Sequence, residues 1–331
     1  MQAERTLLLN RSDVEQLLDL RDCVDAVEEI FRLQGNGKVP ASEILGVKAP
    51  GGGLHVKAVL LPRERNYFVA KLNTNFPGNR TQSSLPTIQG LIVVYNADNG
   101  CPLAILDSID ITIKRTAAAS AVAAKYLARK NSSIATIVGC GDQAPAQLRA
   151  MQTVLPLTKV HAFDSNQEAA KNFVTTLENE LELEIEAVKN LQRAIQKSDV
   201  CITCTPANEF FVRKEDVVPG TFIAAVGADA AHKQEIDPAL MASAKVIADS
   251  REQCCTVGDT HHAIAQGLMC KEHIYAELGE IVAGQKTGRT RDDEIIIFDS
   301  TGVAIEDAVT AITVYEKARG AGRHSHFEFA I

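Results

Sequence analysis

The sequence predicts an α/β protein in which a doubly wound parallel sheet is joined to a second α/β domain. Strand-like and helical segments alternate from Ile134 onward, which is typical of a parallel sheet built from βα units. Short β segments between Ile44 and Ile105, separated by Pro and Gly, indicate an antiparallel module. The length of 331 residues is large for a single hydrophobic core and favours two domains.

The N-terminal part begins with helices and continues with strands. Residues Ser12–Gln34 have a helical pattern, with Ser12 and Asp13 as caps of a first helix and Leu20–Asp22 as the start of a second. Gly35–Gly37 ends the second helix by its turn chemistry. The predicted strands are Gly46–Lys48, Leu54–Leu61, Tyr67–Asn73, Thr87–Tyr95 and Pro102–Asp107, with Asn96–Gly100 as a hairpin turn.

The remaining elements are a long helix followed by the alternating segments. Ile111–Lys130 is rich in Ala and small residues at helical spacing, which predicts a helix packed closely on its neighbours. The predicted strands are Ile134–Val138, Lys159–Phe163, Asp199–Thr205, Thr221–Val226 and Lys245–Asp249; the helices between them include Ala146–Val154, Gln167–Leu181 and Leu191–Lys197. A last helix, Glu306–Ala318, is predicted to return to the N-terminal module.

Composition and charge narrow the class of protein. The chain is 46% hydrophobic and 23% charged, as in ordinary globular proteins, and its net charge of −8 argues against a nucleic-acid or anionic-membrane partner. We find no tract of about 18 apolar residues and no signal-peptide pattern, so we expect a cytoplasmic protein.

Eight cysteines raise the question of a disulfide or a metal site. Cys201 and Cys204 lie three residues apart in a predicted strand and would point to opposite faces. The adjacent cysteines at 254–255 lack a partner pair at metal-ligand spacing, and no HExxH motif surrounds the histidines at 261–262. We therefore expect reduced, mostly buried thiols and no metal.

The segment Ile134–Ala144 carries the pattern G-x-G-x-x-A after a hydrophobic strand and before a helical run. The first Gly allows the tight turn, the second lets the backbone approach a pyrophosphate, and the small third position lets the helix pack on the sheet. A second strand then ends at Asp164, where an acid that binds the ribose is expected. These features predict a dinucleotide site, against the alternative that the glycines serve packing only.

The candidate cofactor residues come from this turn and from three other strand ends. Asp164 favours NAD over NADP, because an acid accepts from the ribose 2′-OH and repels a 2′-phosphate. The turn at Phe298–Gly302 borders the nicotinamide in one interpretation and is a simple Asp/Ser turn in the other. The full set is Gly139, Gly141, Asp142, Gln143, Ala144, Asp164, Thr205, Asp299 and Ser300.

The first module offers cations in unusual places. Lys71 lies within an apolar strand, and Arg115 lies inside the Ala-rich helix. Because Lys and Arg are rarely buried unless paired, the carboxylate of an amino or oxo acid is the expected mobile partner. His55 and Lys57 alternate on another strand and share one face; a solvated outward lysine is the other interpretation of Lys57.

Asp229 follows a predicted strand of the parallel sheet. Ligands bind at the carboxyl ends of strands in open parallel sheets, so Asp229 is placed to meet a substrate amine as charge partner or as proton acceptor and donor. The alternative is a loop aspartate that caps the next helix.

Taken together, these residues resemble the ornithine cyclodeaminase/μ-crystallin family over nearly the whole chain. The similarity includes Lys71–Asn79, with its Asn-Phe-Pro-x-Asn continuation, and DSIDITIKRTAAASAVAAKYLA at Asp107–Ala128. It continues with VGCG at Val138–Gly141, AVGADAAHKQEI at Ala225–Ile236 and FDSTGVAIED at Phe298–Asp307. Several motifs in one order are far more specific than the glycine turn alone.

The resemblance implies a subunit of two domains that forms at least a dimer. Residues 1–125 and 304–331 would form a substrate-binding and dimerisation domain, and residues 126–303 a Rossmann domain that binds NAD. Lys71 and Arg115 fall where the family holds the substrate carboxylate. Asp229 falls on the catalytic acid/base, to which we add Lys71 as a catalytic candidate, and Asp299 lies near the nicotinamide.

Two positions depart from the family pattern. Many members carry an arginine shortly after a proline, in the segment where this chain has Ser42. The acid that ornithine cyclodeaminases carry near the following strand falls at Val59, on the same side as Lys57 and His55. Both changes argue against strict ornithine cyclodeamination, and we hypothesise that His55 or Lys57 takes over part of substrate binding.

The predicted function is NAD-dependent oxidoreduction at the C–N bond of an amino acid or of a linear or cyclic imino acid, as in alanine dehydrogenases and ketimine reductases. One alternative is an ornithine cyclodeaminase, which forms proline and ammonia with recycled NAD. Another is a non-catalytic NAD(P)H-binding protein like the crystallin members. Retention of Lys71, Arg115 and Asp229 speaks against the latter.

Overall fold

The computed structural model describes residues 5–322 and 325–329, without the side chains of Arg80 and Thr81. The chain forms two compact units, residues 1–115 with 303–331, and residues 116–302. The sequence predicted boundaries at 125/126 and 303/304. The two units divide at 115/116 and 302/303, and both the predicted and the observed first boundary lie inside one continuous helix, Ile109–Leu127, where no turn marks a division.

The chain enters the first unit through a short strand and two helices. In order, the elements are β1 (Thr6–Leu9), α1 (Arg11–Leu17), α2 (Leu20–Gly35), β2 (Glu43–Ala49), β3 (Gly52–Leu61), β4 (Tyr67–Asn75), α3 (Asn79–Gln82), β5 (Ile88–Asn96), β6 (Pro102–Asp107) and α4 (Ile109–Leu127). The predicted strands are confirmed, most of them with longer bounds. The predicted hairpin turn is confirmed too: the Gly100 N–H donates to the Asn96 carbonyl oxygen over 2.8 Å, and Gly100 has φ +76°.

The predicted caps of the first helix were wrong by two residues. Asn10 is the N-cap: its side chain accepts from the Asp13 N–H over 3.0 Å, and the Asp13 carboxylate accepts from the Asn10 N–H over 3.0 Å. Asp13 is thus the third helical residue of a capping box, a position where an acid reaches back to the cap. The second helix begins at Leu20 as predicted, and Asp19 caps it.

The second unit carries the alternating elements. They are β7 (Ile134–Val138), α5 (Ala144–Gln152), β8 (Lys159–Phe163), α6 (Gln167–Leu181), β9 (Glu184–Ala187), α7 (Leu191–Ile195), β10 (Val200–Thr203), β11 (Phe222–Ala225), α8 (Pro238–Ser243), β12 (Lys245–Ala248), α9 (Arg251–Cys254), α10 (Asp259–Ala265), β13 (Ala276–Glu277), α11 (Leu278–Val282) and β14 (Ile296–Asp299). The chain then returns to the first unit through α12 (Ala304–Ala321) and β15 (Ser325–Phe327). The predicted bounds of β7, β8 and α6 are confirmed at every terminus.

The sheet of the second unit is parallel throughout, in the order β13-β12-β14-β11-β10-β7-β8-β9. The strand order reverses between β7 and β10, which makes the sheet doubly wound and places a crevice at their carboxyl ends. Every residue of β10, β11 and β14 is buried, as expected for strands that are covered on both faces.

The first unit contains a seven-stranded sheet in the order β15-β1-β6-β5-β4-β3-β2. Its strands pair antiparallel except β1 and β6, which are parallel. Helices α2 and α12 pack together, and α12 covers the face formed by Tyr67, Val69 and Lys71 of β4. We call this the inner face and the opposite one, with Phe68, the outer face. Within the described residues, no helix combines the length and apolar composition needed to span a bilayer.

Candidate functional site

The glycine turn after β7 has the shape that a dinucleotide requires. Gly139 has φ +91°, and a Cβ there would lie 2.8 Å from Thr205 Cγ2 and 2.9 Å from the Cys204 carbonyl oxygen. A Cβ on Gly141 would meet nothing within 4 Å, so the space in front of the turn is open. The nine-residue helix α5 begins directly afterwards at the fully buried Ala144. The turn and the helix N-terminus therefore fit a pyrophosphate.

Asp164 lies directly beside this turn. Its Oδ2 accepts from the Cys140 N–H over 2.8 Å, and its Oδ1 accepts from the Asn166 N–H over 2.8 Å. These bonds hold the carboxylate at the end of β8, and each oxygen retains a lone pair that can accept from a ribose hydroxyl. The arrangement fits NAD, although Asp164 as a ribose ligand stays a prediction.

Glu235, which was not predicted as a functional residue, holds the neighbouring strand ends together through hydrogen bonds that we call the Glu235 brace. Glu235 is fully buried, and its carboxylate accepts from Thr203 Oγ1 over 2.6 Å, from the Thr205 N–H and Oγ1 over 2.7 Å each, and from the Gly227 N–H over 2.8 Å. A Cβ on Gly227 would lie 2.5 Å from Glu235 Oε1, so only glycine fits there. Burial raises the pKa of Glu235, while these four hydrogen bonds oppose the rise.

This brace connects two predicted functional positions. Thr205 follows β10, and Asp229 lies two residues beyond Gly227 in the loop after β11. The Asp229 side chain is 56% exposed, and its carboxylate forms a 2.6 Å ion pair with Lys233. Asp229 is thus a solvent-accessible carboxylate at a strand end, already paired with one ammonium group. It does not cap the next helix, α8, because Asp237 does.

Asp299 serves the fold in this structure. It has no exposed surface, and its carboxylate accepts from the Asp259 N–H over 3.2 Å, the Thr260 N–H over 2.9 Å and Thr260 Oγ1 over 2.6 Å, at the start of α10. Burial raises its pKa to about 6. Asp299 as a residue of the nicotinamide site stays a prediction. The neighbouring Ser300 Oγ is also buried and lacks a hydrogen-bond partner within the described part of the chain, and its role at the cofactor stays a prediction too.

In the first unit, Lys71 and Arg115 come together as predicted, with two carboxylates of α12. Lys71 Nζ lies 2.6 Å from Asp307 Oδ2. Arg115 Nη1 lies 2.7 Å from Glu306 Oε2, and Arg115 Nε lies 3.0 Å from Asp307 Oδ1. All four side chains are at least nine-tenths buried. We call this group the α12 charge cluster.

The α12 charge cluster corrects the expectation that Lys71 and Arg115 need a mobile carboxylate as partner. Burial of Lys71 and Arg115 does not by itself require a mobile carboxylate, because Glu306 and Asp307 already pair with them. The sequence could not show this, since the acids lie about 190 residues beyond Arg115 in the chain. The only sequence signal was two adjacent acids in the first turn of a helix that carries no other charged residue before Glu316.

Lys57 and His55 lie beside the cluster on the same inner face. In the antiparallel register of β3 and β4, Lys57 lies directly opposite Lys71, and His55 lies opposite Asn73. Burial lowers the pKa of Lys71 to about 7, against the opposing effect of Asp307. Burial would raise the pKa of Asp307, but Arg115, Lys71 and Lys57 outweigh it and lower this pKa. Three cationic side chains therefore lie together with two carboxylates on the inner face.

Cysteines and metal-ligand groups add no further centre in the described residues. All eight cysteines are free thiols. Burial raises the pKa of Cys140, in the glycine turn, to about 12, so this thiol stays protonated at neutral pH. No set of three or more His, Cys, Asp or Glu side chains is arranged to hold a metal ion across residues 5–322 and 325–329.

The same combination of fold and motifs occurs in known proteins. The model of the ornithine cyclodeaminase/mu-crystallin family matches residues 4–322. The chain belongs to this family. The alanine dehydrogenase of Archaeoglobus fulgidus is 38% identical over 98% of both chains.

Two solved structures are also similar. An archaeal alanine dehydrogenase dimer with bound NAD has a TM-score of 0.94 at 37% identity, covering 98% of this chain and 100% of the other. The Thermococcus litoralis Delta(1)-pyrroline-2-carboxylate reductase, in complex with NADH and L-proline, has a TM-score of 0.92 at 37% identity, covering 97% and 100%. The predicted family and Rossmann fold are confirmed. The predictions of NAD and of an NAD-dependent oxidoreductase are confirmed at the level of these relatives.

The brace can be tested with Glu235→Gln. In the variant, the amide NH2 group would replace one accepting oxygen and would face an N–H or hydroxyl donor, so neither group would have an acceptor. An unsatisfied buried polar group costs about 1–3 kcal/mol. We expect the free energy of unfolding to fall by about that amount, and the Kd for NADH to rise about tenfold because Thr205 and the loop at Gly227 lose their support. Chemical denaturation and NADH fluorescence titration measure the two effects.

The matched control is Glu252→Gln, at an exposed residue whose partner is the surface residue Lys271. It should leave both quantities unchanged. Wild-type NADH affinity in Glu235→Gln would show that the brace does not support the cofactor site.

Proposed function

We propose that the chain is an NAD-dependent oxidoreductase that interconverts an amino acid and its linear or cyclic imino acid. The observation that carries the proposal is the buried α12 charge cluster, with the side chain of Lys57 beside it on the inner face. A substrate carboxylate would bind beside these cations. It would also favour the protonated form of Lys71, whose pKa is lowered to about 7 without a ligand, so that substrate binding takes up protons near neutral pH.

The residues of the cluster have distinct roles in this proposal. Glu306 and Asp307 fix the positions of Arg115 and Lys71, because each cation is held by a buried ion pair of 2.6–3.0 Å. Lys57 is half-buried and faces Lys71, so its ammonium group would contribute directly to carboxylate binding. His55 is more exposed and would contact the outer part of the substrate.

Asp229 is the proposed acid/base for the substrate amine. Its carboxylate is accessible and already binds the Lys233 ammonium group, which shows that the loop can hold a cation at this position. A substrate ammonium would replace or share that contact, and the carboxylate would accept or return its proton.

The residues present fit NAD at the glycine turn. Gly139, Gly141 and the N-terminus of α5 would hold the pyrophosphate, and Asp164 would accept from the ribose. When bound, NAD supplies the site that accepts a hydride from the α-carbon of the substrate.

The cyclodeaminase alternative lacks support at the position where that activity needs an acid. Val59 is buried on the inner face and pairs with Val69 on β4, so it offers nothing to bind a second amine. A dehydrogenase with a substrate of one amine does not need such a group.

An assay with a panel of amino acids tests the proposal. Purified protein is incubated with NAD and each amino acid, including alanine, proline and ornithine, while NADH absorbance and ammonia are followed. We expect net NADH formation with at least one amino acid that has an uncharged side chain. Ammonia and proline from ornithine without net NADH would instead identify a cyclodeaminase. Silence in both directions, including pyruvate plus ammonium and cyclic imines with NADH, would favour a binding role.

The cofactor preference depends on the charge of Asp164. In Asp164→Ser, the repulsion of a 2′-phosphate disappears, and we expect the ratio of NADP to NAD affinity to rise by about tenfold or more. The variant Asp164→Asn keeps an acceptor oxygen and removes the charge, so it should shift the ratio in the same direction. Titration with NADH and NADPH measures both. An unchanged ratio in both variants would remove Asp164 from this role.

A homodimer is part of the proposal. The outer face of the first-unit sheet exposes large apolar side chains, among them Leu45, Val47, Phe68, Leu91 and Tyr95. Apolar patches of this kind mark interaction surfaces, and the similar archaeal alanine dehydrogenase is a dimer. We propose that a second copy of the chain covers this surface.

The proposed cytoplasmic location is supported by the free thiols, which suit a reducing compartment.

The dimer is tested with Phe68→Glu. A charge in the centre of an apolar interface must be desolvated without a partner, so we expect a monomer by sedimentation equilibrium, with unchanged circular dichroism. Leu268→Glu is the control, since Leu268 is equally exposed but lies in the second unit. A monomeric wild type, or a dimeric Phe68→Glu variant, would contradict the proposed interface.

A further inference from the structure

We propose that Asn73 is a further substrate-contacting residue, whose side-chain amide N–H donates a hydrogen bond to the substrate carboxylate. This inference rests on the proposed function and names one more group in the same site. In the sequence, Asn73 is only part of a predicted strand, since an asparagine in a β run carries no chemical signature of its own.

The position of Asn73 follows from the strand register. It lies two residues after Lys71 on β4, so both side chains stand on the inner face. Its neighbour across β3 is His55, and its neighbour across β5 is Gly90. Asn73 therefore stands among the side chains already proposed to meet the substrate.

The orientation of the Asn73 side chain is fixed from two sides. Ser108, fully buried just before α4, donates from Oγ to Asn73 Oδ1 over 2.7 Å. A Cβ on Gly90 would lie 2.6 Å from Asn73 Cγ, so the absent side chain at Gly90 provides the space that the amide occupies. The oxygen of the amide is thus committed to the protein.

The nitrogen of the same amide is not committed. Asn73 Nδ2 has no hydrogen-bond partner within the described residues, and the residue is only half-buried. Lys71, which is close by, also contacts Thr112 Oγ1 of α4 at 3.5 Å. A donor placed among cations, near the positive end of a 19-residue helix, favours an anionic acceptor over a substrate amine.

The test uses Asn73→Asp with propionate as the probe. Propionate has the carboxylate of a small amino acid and lacks the amine, so its binding to the NADH-saturated protein reports on carboxylate recognition. The variant keeps an acceptor for Ser108 and replaces the N–H donor with a carboxylate oxygen. Isothermal titration should show a propionate Kd raised about 10- to 100-fold, the range expected for losing a hydrogen bond to a charged group, with NADH affinity unchanged.

Two further variants separate contact from support. Gly90→Ala leaves the Asn73 side chain chemically unchanged, but the added methyl group would displace its amide. This variant should therefore also weaken propionate binding. Asn99→Asp is the matched control: Asn99 Oδ1 accepts from the Cys101 N–H over 3.0 Å in an exposed turn, a bond that Asp retains. It should bind propionate like the wild type.

The possible failures are distinguishable. Wild-type propionate affinity in a folded Asn73→Asp variant would mean that Asn73 only holds Ser108, and it would overturn this inference alone. If Asn73→Asp does not fold, wild-type affinity in Gly90→Ala overturns the inference in its place. A wild-type protein that neither binds propionate nor forms NADH with any amino acid would overturn the proposed function and this inference together.

Discussion

The first unit depends on pairing two buried cations. Lys71 on β4 and Arg115 on α4 are almost fully removed from water, and an unpaired buried charge costs several kcal/mol. The anions that pair with them, Glu306 and Asp307, lie in the first turn of α12. This explains in physical terms why the chain returns to its N-terminal sheet after the parallel domain, since without α12 the inner face would hold cations with no fixed partner.

In the second unit, the buried charged groups are carboxylates, and backbone N–H groups stabilise them. Glu235, Asp259, Asp299 and Asp249 are buried near the carboxyl ends of the parallel strands, and each accepts backbone N–H groups of a neighbouring loop. Burial raises the pKa of each of the four. Backbone donors offset that cost and hold loops that would otherwise have no regular pairing. The crevice of the sheet is therefore preorganised by side chains that need not touch a ligand.

Local patterns in the sequence predicted most of the fold. Periods of two and of 3.6 residues, with glycine turns between them, are enough to place β7, β8 and α6. The short strands β1 and β15 were not predicted, because three or four residues carry too little periodicity and each depends on a distant partner. The start of α1 was misplaced because Asn10 and Ser12 are equally good caps by composition, and only the hydrogen bond to Asp13 decides between them.

Candidate site residues could be chosen from the sequence where one residue type implies one chemistry, and not where a role depends on residues from other segments. Glycines and Asp164 could be placed from spacing alone. Glu235 and Asn73 could not, because an acid near a loop and an amide in a strand gain their roles from Thr205, Gly227, Ser108 and Gly90, which come from other segments. The same reasoning limits the substrate. Lys57, Lys71 and Arg115 offer cations for a carboxylate, and the buried Val59 offers no partner for a second amine, which agrees with the proposed substrate of one amine.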